Sequence, residues 1–237
     1  FYNRPSFFIS MILSYKEQKC KTPKESVASA LFMVYAKERK KGGIDLEQGI
    51  CAFTGHRPGH FAFGYEQGHP DCVRLKHAIG QAVSILIQQG VTTFISGMAQ
   101  GVDLWAAREV LRQKAENPTL RLIAAQPCAD QARRWPQAAR HEYEDILAVC
   151  DERFCLYERY THFCMMERNR WMVDRSGILL AVYDGSAGGG TAATVRYAQS
   201  KQREIWLLDP DTLCLVALTP PEKQISFDDT FLSGQTV

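Results

Sequence analysis

An α/β fold is what this sequence predicts: Rossmann-like and doubly wound, with a mainly parallel sheet carrying helices on both faces. Three observations carry that expectation. Short apolar runs alternate with amphipathic helical stretches from about residue 50 onward, the pattern of parallel strands joined by helical crossovers. The run 178–183 is continuously apolar, as a strand buried on both sides must be. Glycine-containing turns follow three of the runs, at 54–58, 96–103 and 184–190. In such a sheet they gather at the carboxyl ends of the strands, where ligands bind.

Taken in order, residues 1–48 read as an N-terminal basic, partly helical extension, with nine Lys/Arg against five Asp/Glu. Val27, Leu31 and Val34 fall on one face of a helix over 26–41, and its lysine-rich end favourably opposes the helix dipole. The apolar run 7–13 is short, and Ala28-Ser29-Ala30 lies too far beyond the lysines that follow it to be a signal cleavage site. The ligand-binding domain is placed at 49–210. Residues 50–53 form its first strand, 54–58 the turn at the strand's end, and 59–70 a loop whose His60, Tyr65 and His69 read as surface residues. Leu75, Ile79, Ala82, Val83 and Leu86 recur at helical spacing until Gly90 stops the helix.

Further strands are expected at 91–95, 120–125, 153–157 and 204–208. Helices are expected through Leu104, Ala107 and Leu111 and through Tyr143, Ile146 and Leu147, with Trp135 a packing anchor at a loop–helix junction. In the helix that precedes the central strand, Met165, Trp171, Met172 and Val173 share the inward stripe, with Arg168, Asn169 and Arg170 near its polar edge. Residues 211–237 read as a C-terminal tail with an edge strand over 214–218.

Composition narrows the function. With 46% hydrophobic and 23% charged residues the chain is an ordinary globular one. No apolar run approaches a membrane span, so a cytoplasmic protein without a membrane partner is expected. Eight cysteines without dense spacing point to reduced thiols. Cys150, Cys155, His162 and Cys164 contain no CxxC pair and read as ordinary cysteine surroundings, so no metal site is expected. Beyond residue 48 there are nineteen Lys/Arg against twenty-one Asp/Glu, which disfavours nucleic acid relative to a small molecule. The sequence admits a homo-oligomer.

The expected site is a phosphate-binding crevice. Backbone amides of Gly188, Gly189, Gly190 and Thr191 at the start of a helix, and of Gly97 to Gly101 in the second turn, can hold an anion. Arg57, Arg168 or Arg170 would neutralise it, while Asp103 or Asp184 would take ribose hydroxyls. Thr54, Gly55, His56 and Ser96 complete the strand-end set.

Four motifs carry a family resemblance: TGHRP (54–58), SGMAQGVDLWAA (96–107), MERNRWMVDRS (166–176) and YDGSAGGGTAATVRYA (183–198). Together they resemble the YpsA-like proteins of the SLOG superfamily, whose relatives include the LOG phosphoribohydrolases and the DNA-processing protein DprA. The resemblance covers about 50–210. It implies a Rossmann-like domain that binds a nucleotide or nucleotide-derived ligand, ADP-ribose-like, at these turns and needs no further cofactor. It also implies a link with stress or cell-division control. By the same resemblance Arg168 matches the arginine that serves LOG catalysis, so a nucleotide N-glycosidase is the alternative. Thr194, however, stands where those enzymes carry a glutamate, and threonine offers no charge to an oxocarbenium ion. A further alternative is a DprA-like single-stranded DNA-binding module, since Arg168-Asn169-Arg170 is similar to its RNR-containing helix.

Overall fold

The structure, a computed structural model, describes residues 49–218. The expected helix over 26–41 and the polar tail beyond Leu218 lie outside the described residues. Seven strands form one sheet: β1 (Ile50–Gly55), β2 (Thr93–Ser96), β3 (Arg121–Cys128), β4 (Glu152–Tyr157), β5 (Ile178–Val182), β6 (Glu204–Leu208) and β7 (Leu215–Leu218). Five helices separate them: α1 (Pro70–Gln88), α2 (Val102–Lys114), α3 (Gln137–Val149), α4 (Cys164–Asp174) and α5 (Gly189–Ser200). The expected Rossmann-like architecture is therefore the one observed.

Strand order is β4-β3-β2-β1-β5-β6-β7. All neighbours are parallel except β6 and β7, which are antiparallel. The chain builds outward from β1 to β4, then returns through α4 to lay β5 on the other side of β1. That return makes the β1–β5 boundary the topological switch point, where neighbouring connections leave the sheet on opposite faces and open a crevice between them.

Side-chain alternation shows how each face is covered. Cys51 and Phe53 of β1, Ile178, Leu180 and Val182 of β5, and Trp206 and Leu208 of β6 join one core with α1, α2 and α3. Their sequence neighbours Ala52, Leu179, Ala181, Ile205 and Leu207 join a second core with Met172 and Val173 of α4 and Val195 and Ala198 of α5. A period of two thus divides every central strand between two apolar layers. β5 is buried at all five positions, as its unbroken apolar run requires.

Two expectations about α4 are corrected. Arg168 does not lie at a polar edge; it points inward and is only 4% exposed. Trp171 is half-buried and leaves the inner stripe, its ring stacking on Phe154 of edge strand β4 at 4.2 Å. The reason is the turn after β2: the Gly97 carbonyl and the Asp103 carboxylate can pair with a buried guanidinium but not with an indole.

Candidate functional site at the switch point

β1 and β5 end in register, Gly55 opposite Val182, so the residues that follow each strand emerge side by side. His56 Nε2 lies 3.1 Å from Asp184 Oδ1, and His60 Nε2 lies 2.8 Å from Asp184 Oδ2. The two imidazoles stack in parallel with centroids 3.6 Å apart. A 3-10 turn over Pro58–His60 brings His60 back over His56. The Ser186 amide donates to Asp184 Oδ1 at 2.9 Å and so sets the carboxylate's orientation. Burial raises the Asp184 carboxyl, but hydrogen bonds from His60 and Ser186 and the nearby His56 outweigh it and hold the group well below the usual carboxylate range. Burial lowers His56, against the pull of Asp184, and keeps its ring neutral more readily than a free histidine.

The loop beyond this cluster is anchored. Phe61 and Phe63 stack at 5.0 Å, and both rings approach Trp105 of α2. His69 caps α1, its Nδ1 accepting from the Asp71 amide, and Tyr65 is exposed.

The turn at 96–103 is satisfied from within. Ser96 Oγ accepts from the Met98 amide and donates to the Asp103 carbonyl, and Asp103 Oδ2 accepts from the Ala99 amide. Gln131 donates to the Met98 carbonyl at 2.6 Å, and the Arg168 guanidinium donates to the Gly97 carbonyl. Arg168 Nη1 also lies 3.4 Å from Asp103 Oδ2. A Cβ on Gly97 would overlap the Arg168 guanidinium and crowd the Asp103 carboxylate, so the buried arginine favours glycine there. Gly101 has φ +94, and a Cβ on it would meet Pro58 and the His56 carbonyl; a Cβ on Gly55 would collide with Val102. The first two turns are therefore packed into each other. Burial pushes the Asp103 carboxyl up, against Arg168, the Ala99 amide and Arg57, and lowers Arg168.

The turn at 184–190 is different. Gly188, Gly189 and Gly190 are exposed, and a Cβ built on any of them would meet nothing within 4 Å. Gly189, at φ +88, needs glycine for its backbone; Gly188 and Gly190 show no such need among the described residues. Gly188 is the N-cap of α5 and provides no side-chain cap, so the helix presents its first amides outward. Tyr183 donates its hydroxyl to the Ser186 carbonyl, and Arg196 Nη1 donates to the Ala187 carbonyl at 2.9 Å. Thr191 and Thr194 are buried. Thr194 Oγ1 takes a hydrogen bond from Asn169 Nδ2 at 2.8 Å and lies 2.8 Å from the Gly190 carbonyl, joining α4 to α5.

Several sequence-predicted residues thus converge and others do not. Thr54 is buried near the end of β1, and His56 and Asp184 meet directly. Arg57 is exposed beside them and makes no ion pair among the described residues, while its charge reaches Asp103 and Arg168. Arg170 instead lies over the Tyr197 ring at 5.5 Å, on the outer side of α4 and α5. His60, expected as a surface loop residue, is exposed but stands against Asp184 at the crevice, with its spacing from His56 the available signal; Arg196, which carries no sequence cue, reaches the Ala187 carbonyl. Cys155 and His162 are exposed, Cys164 is buried, and Cys150 ends α3.

A seven-stranded doubly wound sheet with its crevice at the β1–β5 boundary defines a Rossmann-like α/β domain. Its family follows from comparison with known proteins. The model of the YspA SLOG family, YpsA, matches residues 51–213, and the chain belongs to that family. A UPF0398 protein of Halalkalibacterium halodurans is 28% identical over 174 residues, covering 71% of this chain and 92% of the relative. One from Bacillus cereus strain B4264 is 30% identical over 157 residues, covering 64% and 83%. Among solved structures, DNA processing protein A of Streptococcus pneumoniae aligns with a TM-score of 0.47 at 17% identity, over 71% of this chain and 54% of that one. The Helicobacter pylori protein of the same name, solved for its single-stranded DNA binding mode, gives 0.45 and 20%, over 68% and 65%. This chain thus spans about half to two thirds of those two proteins. No helix among the described residues is long and apolar enough to cross a membrane.

Proposed function

We propose that this protein binds a nucleotide or nucleotide-sugar ligand, of the ADP-ribose kind, and acts as a binding protein or sensor rather than as a catalyst of base release. The observation that carries this reading is the open glycine run at 188–190. Among the described residues nothing lies within 4 Å of a Cβ on Gly188 or Gly190, and both lie at the start of α5, which has no side-chain cap. Close approach of an oxyanion to backbone amides supplies the missing reason. Arg57 contributes positive charge from the β1 side, and Asp184 offers an acceptor to sugar hydroxyls. Thr194 favours binding over glycosidic cleavage, because its hydroxyl is engaged with Asn169 and no carboxylate stands at that place.

Thermal unfolding with AMP, ADP-ribose and NAD tests the reading. A ligand at a hundredfold excess over its Kd stabilises the fold by about 2.7 kcal/mol. Absence of any shift with all three at millimolar concentration overturns the proposal. The competing nucleic-acid reading would instead show oligonucleotide binding that weakens steeply with salt.

A further inference from the structure

We propose that His56, His60 and Asp184 form a binding site for one divalent first-row transition cation at the mouth of the crevice. Two loops bring these residues together from 124 and 128 positions apart. One ligand atom from each lies within 4.8 Å of the others, and among the described residues this is the one group of three His, Cys, Asp or Glu side chains so gathered. The two histidine-to-carboxylate separations, 3.1 Å to Oδ1 and 2.8 Å to Oδ2, match the edges of an octahedral coordination shell. Adjacent ligands at about 2.0–2.2 Å from a metal stand roughly 2.8–3.1 Å apart in an octahedron and roughly 3.3–3.6 Å apart in a tetrahedron. Filling the site therefore needs small side-chain adjustments and no movement of the sheet. The Nε2 lone pairs replace the present Nε2–H donors when the ring protons shift to Nδ1.

The surroundings have the features of a built site. The Ser186 amide orients the carboxylate from outside the donor triangle, as outer partners do around metal ligands. Phe61 meets the His56 ring edge-on at 6.2 Å and Tyr183 approaches it at 5.9 Å, which fixes the inner histidine. His56 is 8% exposed and His60 41%, so the cluster is closed on the protein side and open on the crevice side. Coordination positions there remain for water or for an oxygen of a bound molecule. Two imidazoles and one carboxylate select zinc, iron, manganese, cobalt or nickel over calcium and magnesium, which prefer all-oxygen sets. A dication on one carboxylate leaves a net positive charge, and that suits an anionic ligand. The metal site stands on its own geometry and does not require the nucleotide reading.

The test is titration of the metal-stripped full chain with Co2+ alone, followed by calorimetry and visible absorption, with no nucleotide present. The expected result is one Co2+ per chain with the ligand-field bands of nitrogen and oxygen coordination. His60→Ala and Asp184→Asn should each weaken binding by about 100-fold or more, since loss of an outer partner alone costs about 10–100-fold. His60 is exposed enough for His60→Ala to retain the fold, checked by circular dichroism, and this variant decides alone if Asp184→Asn unfolds. Any of three results overturns the proposal: no binding by the wild type, binding unchanged in the substituted protein, or a thiolate-to-cobalt charge-transfer band that places the ion on cysteines.

Discussion

Two glycine turns of this domain look alike in sequence and serve opposite physical purposes. At 96–103 each glycine has an internal cause: Gly97 makes room for the Arg168 guanidinium, and Gly101 makes room for Pro58 and the His56 carbonyl. The amides of Met98 and Ala99 are already taken by Ser96 and Asp103. At 188–190 the space above the chain is open and the α5 amides have no side-chain cap. What separates the two turns is space: the N-terminus of α2, like that of α5, has no side-chain cap, but only the second turn is open above its glycines. The first turn is a buttress that fixes α2 and α4 against β1, and the second is the surface that the buttress holds in place.

This contrast can be broken by mutation. The largest effect is expected from Arg168→Ala, which strands the buried Asp103 carboxylate and the Gly97 carbonyl. Urea unfolding should show a loss of about 3–5 kcal/mol, and a loss below 1 would make Arg168 dispensable to the buttress. Gly97→Ala follows: its Cβ must displace the same guanidinium, at about 1–3 kcal/mol by overpacking. The matching change in the other turn, Gly190→Ala, should have the opposite sign. With nothing near its Cβ, alanine in the first turn of α5 should stabilise by ~0.5–1 kcal/mol, while nucleotide binding weakens about tenfold or more, or ~1.4 kcal/mol. Equal destabilisation by the two alanines would erase the distinction drawn above.

The smallest effect is a pH dependence. Burial raises the Asp103 pKa above its ordinary 3.8, more than Arg168 offsets. Between 3.8 and the higher folded value the native state holds a proton that the unfolded chain has released, so stability falls as pH rises through that window. Measured against Asp103→Asn, the wild-type unfolding free energy should decline with rising pH there and then level off. A difference that grows with pH would mean that the Arg168 pairing dominates burial.

Much of the framework was legible in advance because periodicity records burial. The fully apolar run at 178–182 could only be a central strand, and the antiparallel edge strand β7 and the anchoring of Trp135 against Tyr143 at 5.3 Å match their sequence cues. Arg168 was misread because its helix phase was judged by residue type. A guanidinium inside the domain needs carbonyl and carboxylate partners, and those come from a turn 65 to 71 positions away. His60 read only as a surface loop residue for a similar reason: its spacing from His56 was the one local cue, and its partner Asp184 lies beyond four intervening strands.

Local chemistry, then, settled the α/β class, the order of elements and the family motifs, since hydrophobic period and turn residues act over a few positions. Which glycines guard packing and which face open space, which arginine turns inward, and which histidines share a carboxylate were decided by the crossover that lays β5 beside β1. That crossover sets distances between side chains 65 to 128 positions apart, and no local pattern encodes them.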